Sequence, residues 1–404
     1  MRLLEHQSKQ LLADFGLPMT QPVVVDTVDE AVEAVRDLGR STVLKAQVPF
    51  GGRGKAGGVK FVERPDQVRD AANELFALTL RNTAVEQISI EPKISFAREM
   101  YLGVTWDTAA KLPVALLNLS GGVDIEQADD QQVQRCLFDP FRGLSAYQGR
   151  ELACSAGLTG KTMIAVGEMF AKLAKAFLMI DAVTVEINPL VETDDAQLVG
   201  VDAHIEIEDD ALFRQRHHLE NLGLEKLGEL PSSGSARPAT QLEREAQRID
   251  SMDHRGVAGR VVEFDGDLAL LIGGGGASLT VFDAIRRHSG RPANYCEVGG
   301  NPTQEKVAAL VELLLSKPGV RKLAVIMNVV NNTRADVMAK GMLQGIRQAG
   351  LDPAKVVSVF RIPGSWEQEA REILSSAGIE ALGREISLDR AAQLAVERMS
   401  EYVA

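Results

Sequence analysis

The chain has 404 residues, 45% hydrophobic and 25% charged, with a formal net charge of −12. That length allows two or three domains with cores large enough to need no covalent staples. The acidic balance argues against a nucleic-acid or anionic-membrane partner, since both need a basic footprint, while leaving room for a local basic pocket. Cys136, Cys154 and Cys296 show no CxxC spacing, no run of about 18 apolar residues occurs, and the opening MRLLEHQSKQ has no apolar signal-peptide core. These features read as reduced thiols in a cytoplasmic enzyme.

Leu4, Leu11, Leu12 and Phe15 mark one face of a short helix that Gly16 and Pro18 end. Residues 22–25 read as a strand, and Thr27 with Glu30 forms a capping box for a helix running to Gly39. TVLKAQV (42–48) is a strand leading into the glycine-rich loop 49–58. VKFV, AVEQISIE, REMYLGVTW and LPVALLNLS read as further strands. Residues 161–180 form a helix with Ile164, Phe170, Leu173 and Phe177 on one side, and strands follow at 182–192 and 197–207.

Composition shifts near 230, where GELPSSGSARPATQ reads as a linker and LEREAQRIDSMDHRG as a connecting helix. After 255 the pattern is regular. LALLI, NYCEV, KLAVIMNVV and VVSVFRI alternate with helical segments, the last at 387–403. This predicts a parallel doubly wound sheet, with ligands at the C-terminal strand ends, where the turns 273–276, 299–304 and 328–334 lie.

Four constellations carry chemistry. In the loop Gly51–Gly58, successive glycines can turn backbone N–H groups onto phosphate oxygens, with Arg53 and Lys55 adding charge; the alternative is a flexible hairpin with solvated cations. Lys45, on the apolar strand before it, needs an anionic partner unless it snorkels from a sheet edge. Glu186 and Asn188 alternate to one face of a strand, and Asp202 lies near that face across a hairpin. Their oxygens suit Mg2+ completed by nucleotide phosphates, the alternative being a solvated polar face. Glu91 and Glu99 flank two strands and could accept from a nucleoside or be surface charges. Lastly, Asn301-Pro302-Thr303-Gln304 reads as a helix start with Asn301 as N-cap and Pro302 at the first helical position, an anion site if used as one. Asn328, Asn331, Asn332, Thr333 and Arg334 fill a turn suited to a carboxylate-bearing ligand. The six histidines show no ligand spacing, and Trp106 and Trp366 read as packing residues.

The segments LEHQSKQLLADFGLP (4–18), VLKAQVPFGGRGKAGGVK (43–60), REMYLGV (98–104), GGVDIE (121–126), YQGREL (147–152), EINPLV (186–191) and DALFRQ (210–215) resemble, in this order and nearly end to end, the beta subunit of succinyl-CoA synthetase. The resemblance implies an α/β chain with an ATP-grasp nucleotide-binding domain over 1–235, a linker over 236–255, and a flavodoxin-like, doubly wound CoA-ligase domain over 256–404. It implies ADP-forming ligation of a carboxylic acid to CoA, with ATP and CoA as substrates and Mg2+ as cofactor. An alpha subunit would carry the CoA site and a histidine phosphorylated in transit.

Carried over by position, Lys45, Gly52, Arg53, Gly54, Glu91 and Glu99 belong to the nucleotide pocket, Asn188 and Asp202 ligate Mg2+, and Glu186 assists phosphoryl transfer to the histidine. Departures concentrate on the acyl side. Asp202 is followed by Ala203-His204 where the family has Gly-Lys, and the family's Asn-Gly-Ala-Gly turn is Gly273–Gly276 here. The family's triple-glycine turn reads Gly299-Gly300-Asn301, and its glycine-rich loop near the carboxylate is replaced by 328–334; the Gly-Gly-Gly-Ala-Ser run (274–278), Ala293-Asn294-Tyr295 and the Asn331–Thr333 turn look closer to ATP-citrate lyase and citryl-CoA synthetase. Gly275, Asn301, Asn331, Asn332, Thr333 and Arg334 are the expected acid contacts. The acid is expected to be citrate, malate or a sulfonated acid rather than succinate. The alternatives are a true succinate–CoA ligase beta subunit, a different ATP-grasp ligase, or a degenerate nucleotide-binding paralogue.

Overall fold

The computed structural model describes residues 1–81, 83–122, 133–224 and 239–399. Most of the GGVDIE motif, most of the Pro-, Ser- and Gly-containing linker and the last five residues lie outside these. The chain divides into two compact units, Met1–Pro238 and Ala239–Ala404.

The first unit holds two main sheets. The smaller runs Val23–Val25, Ile88–Pro92, Thr42–Ala46, Val59–Val62, all antiparallel. Leu44, Ile88 and Ile90 are buried with Ala31, Val35, Ala72 and Leu75 from helices Val28–Leu38 and Val68–Phe76. The first of these is capped as its sequence predicts: Thr27 and Glu30 form the box, and Gly39 closes the helix with φ +60°.

The larger sheet is built on Ala182–Thr193 and Phe96–Asp107, extended by Leu112–Asn118 and Gln134–Leu137. Helix Gly160–Met179 places Val166, Phe170, Leu173 and Phe177 in one core with Leu102, Val104 and Ile187, while Ile164, expected on that side, is exposed. Leu11 and Leu12 of helix Glu5–Asp14 join that core. Gly16 then turns the chain at φ +78°.

The strand expected at 197–207 is two strands, Leu198–Gly200 and Ala203–Ile207, both paired with Ala182–Thr193. The break has a local cause. Val201 N–H donates to the Pro189 carbonyl at 3.0 Å, but Pro189 has no N–H to return the bond. The Val201 carbonyl is left for another donor, and Asp202 sits in the interruption. Strand Gln134–Leu137 and helix Ala146–Ser155 escaped the sequence reading, although Ser145 and Gln148 form a reciprocal capping box at the helix start.

The second unit is a five-stranded sheet in the order Val257–Glu263, Asn294–Gly299, Leu268–Gly273, Lys322–Met327, Val357–Arg361. The last four are parallel, as the alternating pattern predicts. Val257–Glu263 is an antiparallel edge strand that corrects the all-parallel expectation. Ala269 and Leu271 face one core with helices Gln304–Ser316 and Ala335–Gln348; Leu268, Leu270 and Ile272 face the other with Gly276–Arg287 and Leu388–Glu397. Both faces of the central strand are thus buried, which is why it reads as a continuous apolar run.

Within the segment expected as a linker, helix Gln241–Asp250 packs on the edge strand, with Ala246 buried and the Asp250 carboxylate accepting from Ala258 N–H at 2.8 Å. No helix among the described residues is long and apolar enough to cross a membrane.

Helices Gln304–Ser316 and Ala335–Gln348 approach closely because Gly341 and Gly345 lack side chains. A Cβ on Gly341 would lie 2.7 Å from Val307 Cβ, and one on Gly345 would collide with the Ala308 carbonyl. Gly345→Val is expected to destabilise the protein by about 1–3 kcal/mol through overpacking, read as a lower midpoint in urea unfolding.

Candidate functional site

Six ionisable side chains converge in the first unit. Helix Glu5–Asp14 contributes Glu5 and Lys9, one turn apart. Strands Thr42–Ala46 and Ile88–Pro92 contribute Lys45 and Glu91. The glycine-rich loop contributes Arg53, and the strand break Asp202. The Lys45 ammonium lies 2.8 Å from Glu5, 2.8 Å from Glu91 and 2.9 Å from the orphaned Val201 carbonyl. Lys9 bonds both Glu91 oxygens at 2.7 and 2.8 Å and reaches Glu5 at 2.9 Å. Arg53 spans Glu5 at 2.6 Å and both Asp202 oxygens at 2.9 and 2.8 Å.

Lys9 is 0% exposed and Glu91 2%. Charges so buried are tolerable only when paired and hydrogen-bonded, and three cations here meet three carboxylates. Burial pushes the Glu5 carboxyl up, but Arg53, Lys45 and Lys9 outweigh it and hold the group well below its ordinary range. Burial works the same way on Glu91, where Lys45 and Lys9 prevail. For Lys45, burial would ease deprotonation, yet Glu5, Glu91 and Asp202 hold it above its usual value. Lys9 goes the other way: burial lowers it despite Glu5 and Glu91.

The anionic partner that Lys45 required is therefore within the chain, and Glu91 is no surface charge. The loop closes around Arg53, whose carbonyl accepts from Ala56 and Gly58 N–H at 3.1 and 2.8 Å. Arg53 turns inward while Gly52, Gly54 and Lys55 stay exposed. Glu5 and Lys9 were missed in the sequence. Their signal was two charges four residues apart on a helix whose neighbours Leu11 and Leu12 are core.

The remaining residues continue from this cluster. Asn188 N–H donates to the Asp202 carbonyl at 3.0 Å, and Asn188 Oδ1 accepts from Gly122 N–H at 2.8 Å. A Cβ on Gly122 would stand 3.5 Å from Glu99 Oε1, so Glu99, Gly122, Asn188 and Asp202 form a continuous row. Glu186 lies opposite Gly103 and His204 in the ladder and accepts from the Tyr101 hydroxyl at 3.1 Å. Gly103 is required there, because a Cβ would come within 2.8 Å of the Tyr101 ring.

Among the described residues, no three His, Cys, Asp or Glu side chains are grouped to hold a metal ion by themselves. Asn188 and Asp202 carry an amide oxygen and a carboxylate of the kind that Mg2+ takes along with waters and phosphate oxygens; here Asn188 Oδ1 faces Gly122 N–H and both Asp202 oxygens face Arg53.

The second unit has a cavity of about 580 Å³ at the C-terminal ends of strands Leu268–Gly273, Asn294–Gly299 and Lys322–Met327. The strand order reverses there, so neighbouring connections leave in opposite directions and open a crevice. Gly274, Gly275, Gly299, Gly300, Asn331, Asn332 and Thr333 line it. Gly274 must be glycine, since its φ is +107° and a Cβ would meet Asn328 Cβ at 2.9 Å.

Asn301 and Arg334 are expected acid contacts that do not line the cavity. Asn301 Oδ1 accepts from Arg334 N–H at 3.4 Å, tying two turns together. The Arg334 guanidinium pairs with Asp336 at 2.8 Å and stacks 4.0 Å over the Trp366 ring, so Trp366 is a stacking partner rather than simple packing. The helix start also shifts: Thr303, not Asn301, caps Gln304–Ser316, accepting from Lys306 N–H at 3.3 Å. Asn301 takes the left-handed conformation at φ +59°, and Gln304 bonds Gln344 instead of reaching back. Two charged residues of the lining, Arg260 and Glu297, were not foreseen. The first lies on the unread edge strand, where the β-branched residues of VAGRVVE were the available signal.

Family models match both units: one described as an ATP-grasp domain over residues 2–192, the other as an ATP citrate lyase citrate-binding domain over 237–388. The succinate–CoA ligase [ADP-forming] beta subunit of Rubrobacter xylanophilus is 36% identical over 403 residues, covering 98% of each chain. The chain belongs to this beta-subunit family. The corresponding subunit of Natronomonas pharaonis is 34% identical over 99% of this chain and 100% of its own. An ATP citrate lyase structure from Methanothrix soehngenii, in complex with citrate and coenzyme A, superposes with a TM-score of 0.77 over 98% of this chain and 99% of its own; at 20% identity it shows the fold alone. The fold is thus an N-terminal ATP-grasp domain within an α/β chain, as the sequence motifs implied.

Breaking a buried ion pair strands a charge, so Lys9→Met is expected to cost about 3–5 kcal/mol in chemical unfolding. The low-lying Glu5 and Glu91 carboxyls have a defined pH consequence. Their contribution is fully present above the ordinary value of 4.5 and lost as pH falls through their lower folded values. Unfolding of wild-type protein followed from pH 7 downwards should show the loss beginning below pH 4.5, and Glu91→Gln should reduce that acid dependence.

Proposed function

We propose that the chain is the nucleotide-binding beta subunit of an ADP-forming ligase that joins a carboxylic acid to CoA. It works in the cytoplasm with an alpha subunit that carries the CoA site and a transiently phosphorylated histidine. The observation that carries this reading is the joining of Lys45, Arg53, Glu91, Asn188 and Asp202 into one cluster through Glu5 in a chain alignable end to end with ADP-forming ligase subunits.

Lys45 and Arg53 supply fixed positive charge for the ATP phosphates, with Gly52 and Gly54 leaving the loop backbone open on either side of Arg53. Mg2+, held by Asn188 and Asp202, would neutralise charge on the transferring phosphoryl group. Glu99, beside Gly122, and Glu91 border the nucleotide pocket. Glu186, steadied by Tyr101, accepts a hydrogen bond from the incoming histidine and keeps it oriented for attack. Transfer breaks the γ-phosphoryl bond of ATP and forms a phosphohistidine. The acid carboxylate then attacks that phosphorus, and CoA thiolate displaces phosphate from the acyl phosphate.

The acid occupies the cavity at the strand ends of the second unit, where glycine-turn N–H groups, Asn331, Asn332 and Thr333 offer donors. We read it as more polar than succinate, with citrate, malate or a sulfonated acid as candidates. Support comes from the departures at 273–276 and 328–334 and from the citrate-binding family match over 237–388.

Asp202→Ala is expected to abolish ATP-dependent phosphorylation of the partner histidine while circular dichroism stays unchanged; full phosphorylation would refute the metal assignment. Co-expressed with its alpha subunit, the wild-type chain should form ADP with CoA and one of the polar acids in preference to succinate. Preference for succinate would sink the substrate reading, and absence of both phosphorylation and turnover would favour a degenerate paralogue.

A further inference from the structure

The acid cavity carries an electrostatic asymmetry that its glycines and amides do not explain. Arg260 and Glu297 are the two charged residues of its lining. They stand directly opposite each other where the antiparallel edge strand Val257–Glu263 pairs with Asn294–Gly299, so their side chains leave the same face of the sheet. Arg260 is exposed and Glu297 half-buried. The rest of the lining is neutral: glycines, Asn331, Asn332, Thr333 and the apolar Val257, Val298, Met327, Val329 and Val330.

A carboxylate in this lining is unfavourable for a ligand that brings only carboxylates, because like charges in a confined site repel. It suits a ligand that also brings an O–H donor. The Arg260 guanidinium on the paired strand carries five N–H donors, and its fork matches a carboxylate or sulfonate.

We infer that Arg260 and Glu297 form a specificity pair that selects an acid bearing a second anionic group and a hydroxyl. This rests on the ligase reading above and deepens it. Arg260 binds the anionic group remote from the reacting carboxylate, and Glu297 accepts from the hydroxyl. Simple dicarboxylates lose the second contact and leave Glu297 facing them without a donor. A site built to hydrogen-bond a hydroxyl rejects the analogue lacking it far more strongly than an apolar pocket rejects a missing methylene.

The test uses the complete complex with its alpha subunit and pairs of acids that differ by one hydroxyl: malate against succinate, and citrate against tricarballylate. Wild-type complex should turn over the hydroxylated member of a pair with the higher kcat/KM. Arg260→Gln should raise the acid KM roughly 10- to 100-fold, the loss expected of a hydrogen bond to a charged group, with ATP-dependent phosphohistidine formation unchanged. Arg260→Lys, which keeps the charge but not the fork, should recover part of that loss. Glu297→Gln should shrink the preference for the hydroxylated acid.

Equal use of paired acids by the wild type, an acid KM unmoved in Arg260→Gln, or no recovery in Arg260→Lys would each overturn the pair. Wild-type complex that forms no phosphohistidine would instead overturn the ligase reading on which the pair depends. The phosphorylation readout therefore separates the two failures.

Discussion

Glu5 is the carboxylate around which the nucleotide half is arranged. One of its oxygens meets Lys45 and Lys9, the other Arg53. It joins three elements distant in sequence: the first helix, the strand before the glycine-rich loop, and the loop itself. Without it, Lys45 would keep Glu91 and the Val201 carbonyl, and Arg53 would keep Asp202 and the Ala46 carbonyl, with no group common to both. With it, their positions are set before any ligand arrives, which is the condition for electrostatic catalysis without reorganisation. The arrangement is costly to desolvate and is maintained because every charge in it has a partner.

The strand break at Val201-Asp202 serves the same cluster. A regular ladder would consume the Val201 carbonyl. Pro189 cannot donate, and that missing bond gives Lys45 a third oxygen at 2.9 Å. The irregularity also brings the Asp202 carboxylate to Arg53 and its carbonyl to Asn188. One proline thus couples the backbone of the candidate metal residues to the candidate phosphate cation.

The second unit uses a different device. Its cavity is made mostly of backbone, through glycines at the strand ends, and is finished by side chains from neighbouring turns. The turn after strand Lys322–Met327 is held from behind: Val330 N–H and carbonyl bond Pro363 and Ser365, and Arg334 is anchored on Asp336 and Trp366. Asn331, Asn332 and Thr333 are thereby presented by a turn fixed at both ends. The residues that looked most ligand-like by charge, such as Arg334, are the ones that fix it.

The alternation of strands and helices, the capped helix at Thr27, most of the apolar core stripes and the glycine-rich turns are legible in the residues alone. These depend on local periodicity and on φ preferences that neighbours in the chain specify. The sequence also marked Lys45, Arg53, Glu91, Asn188 and Asp202, through motifs whose order reveals the family. The partners of those charges emerge once the chain has packed. Nothing local ties Lys9 to Glu91 across 82 residues or Arg53 to Asp202 across 149. Packing likewise decided that Thr303 caps where Asn301 could have, and that an antiparallel edge strand brings Arg260 to the cavity of the second unit. Caps, strand edges and buried ion pairs are choices among locally acceptable alternatives. They are settled by which distant groups need a hydrogen bond once the cores have packed.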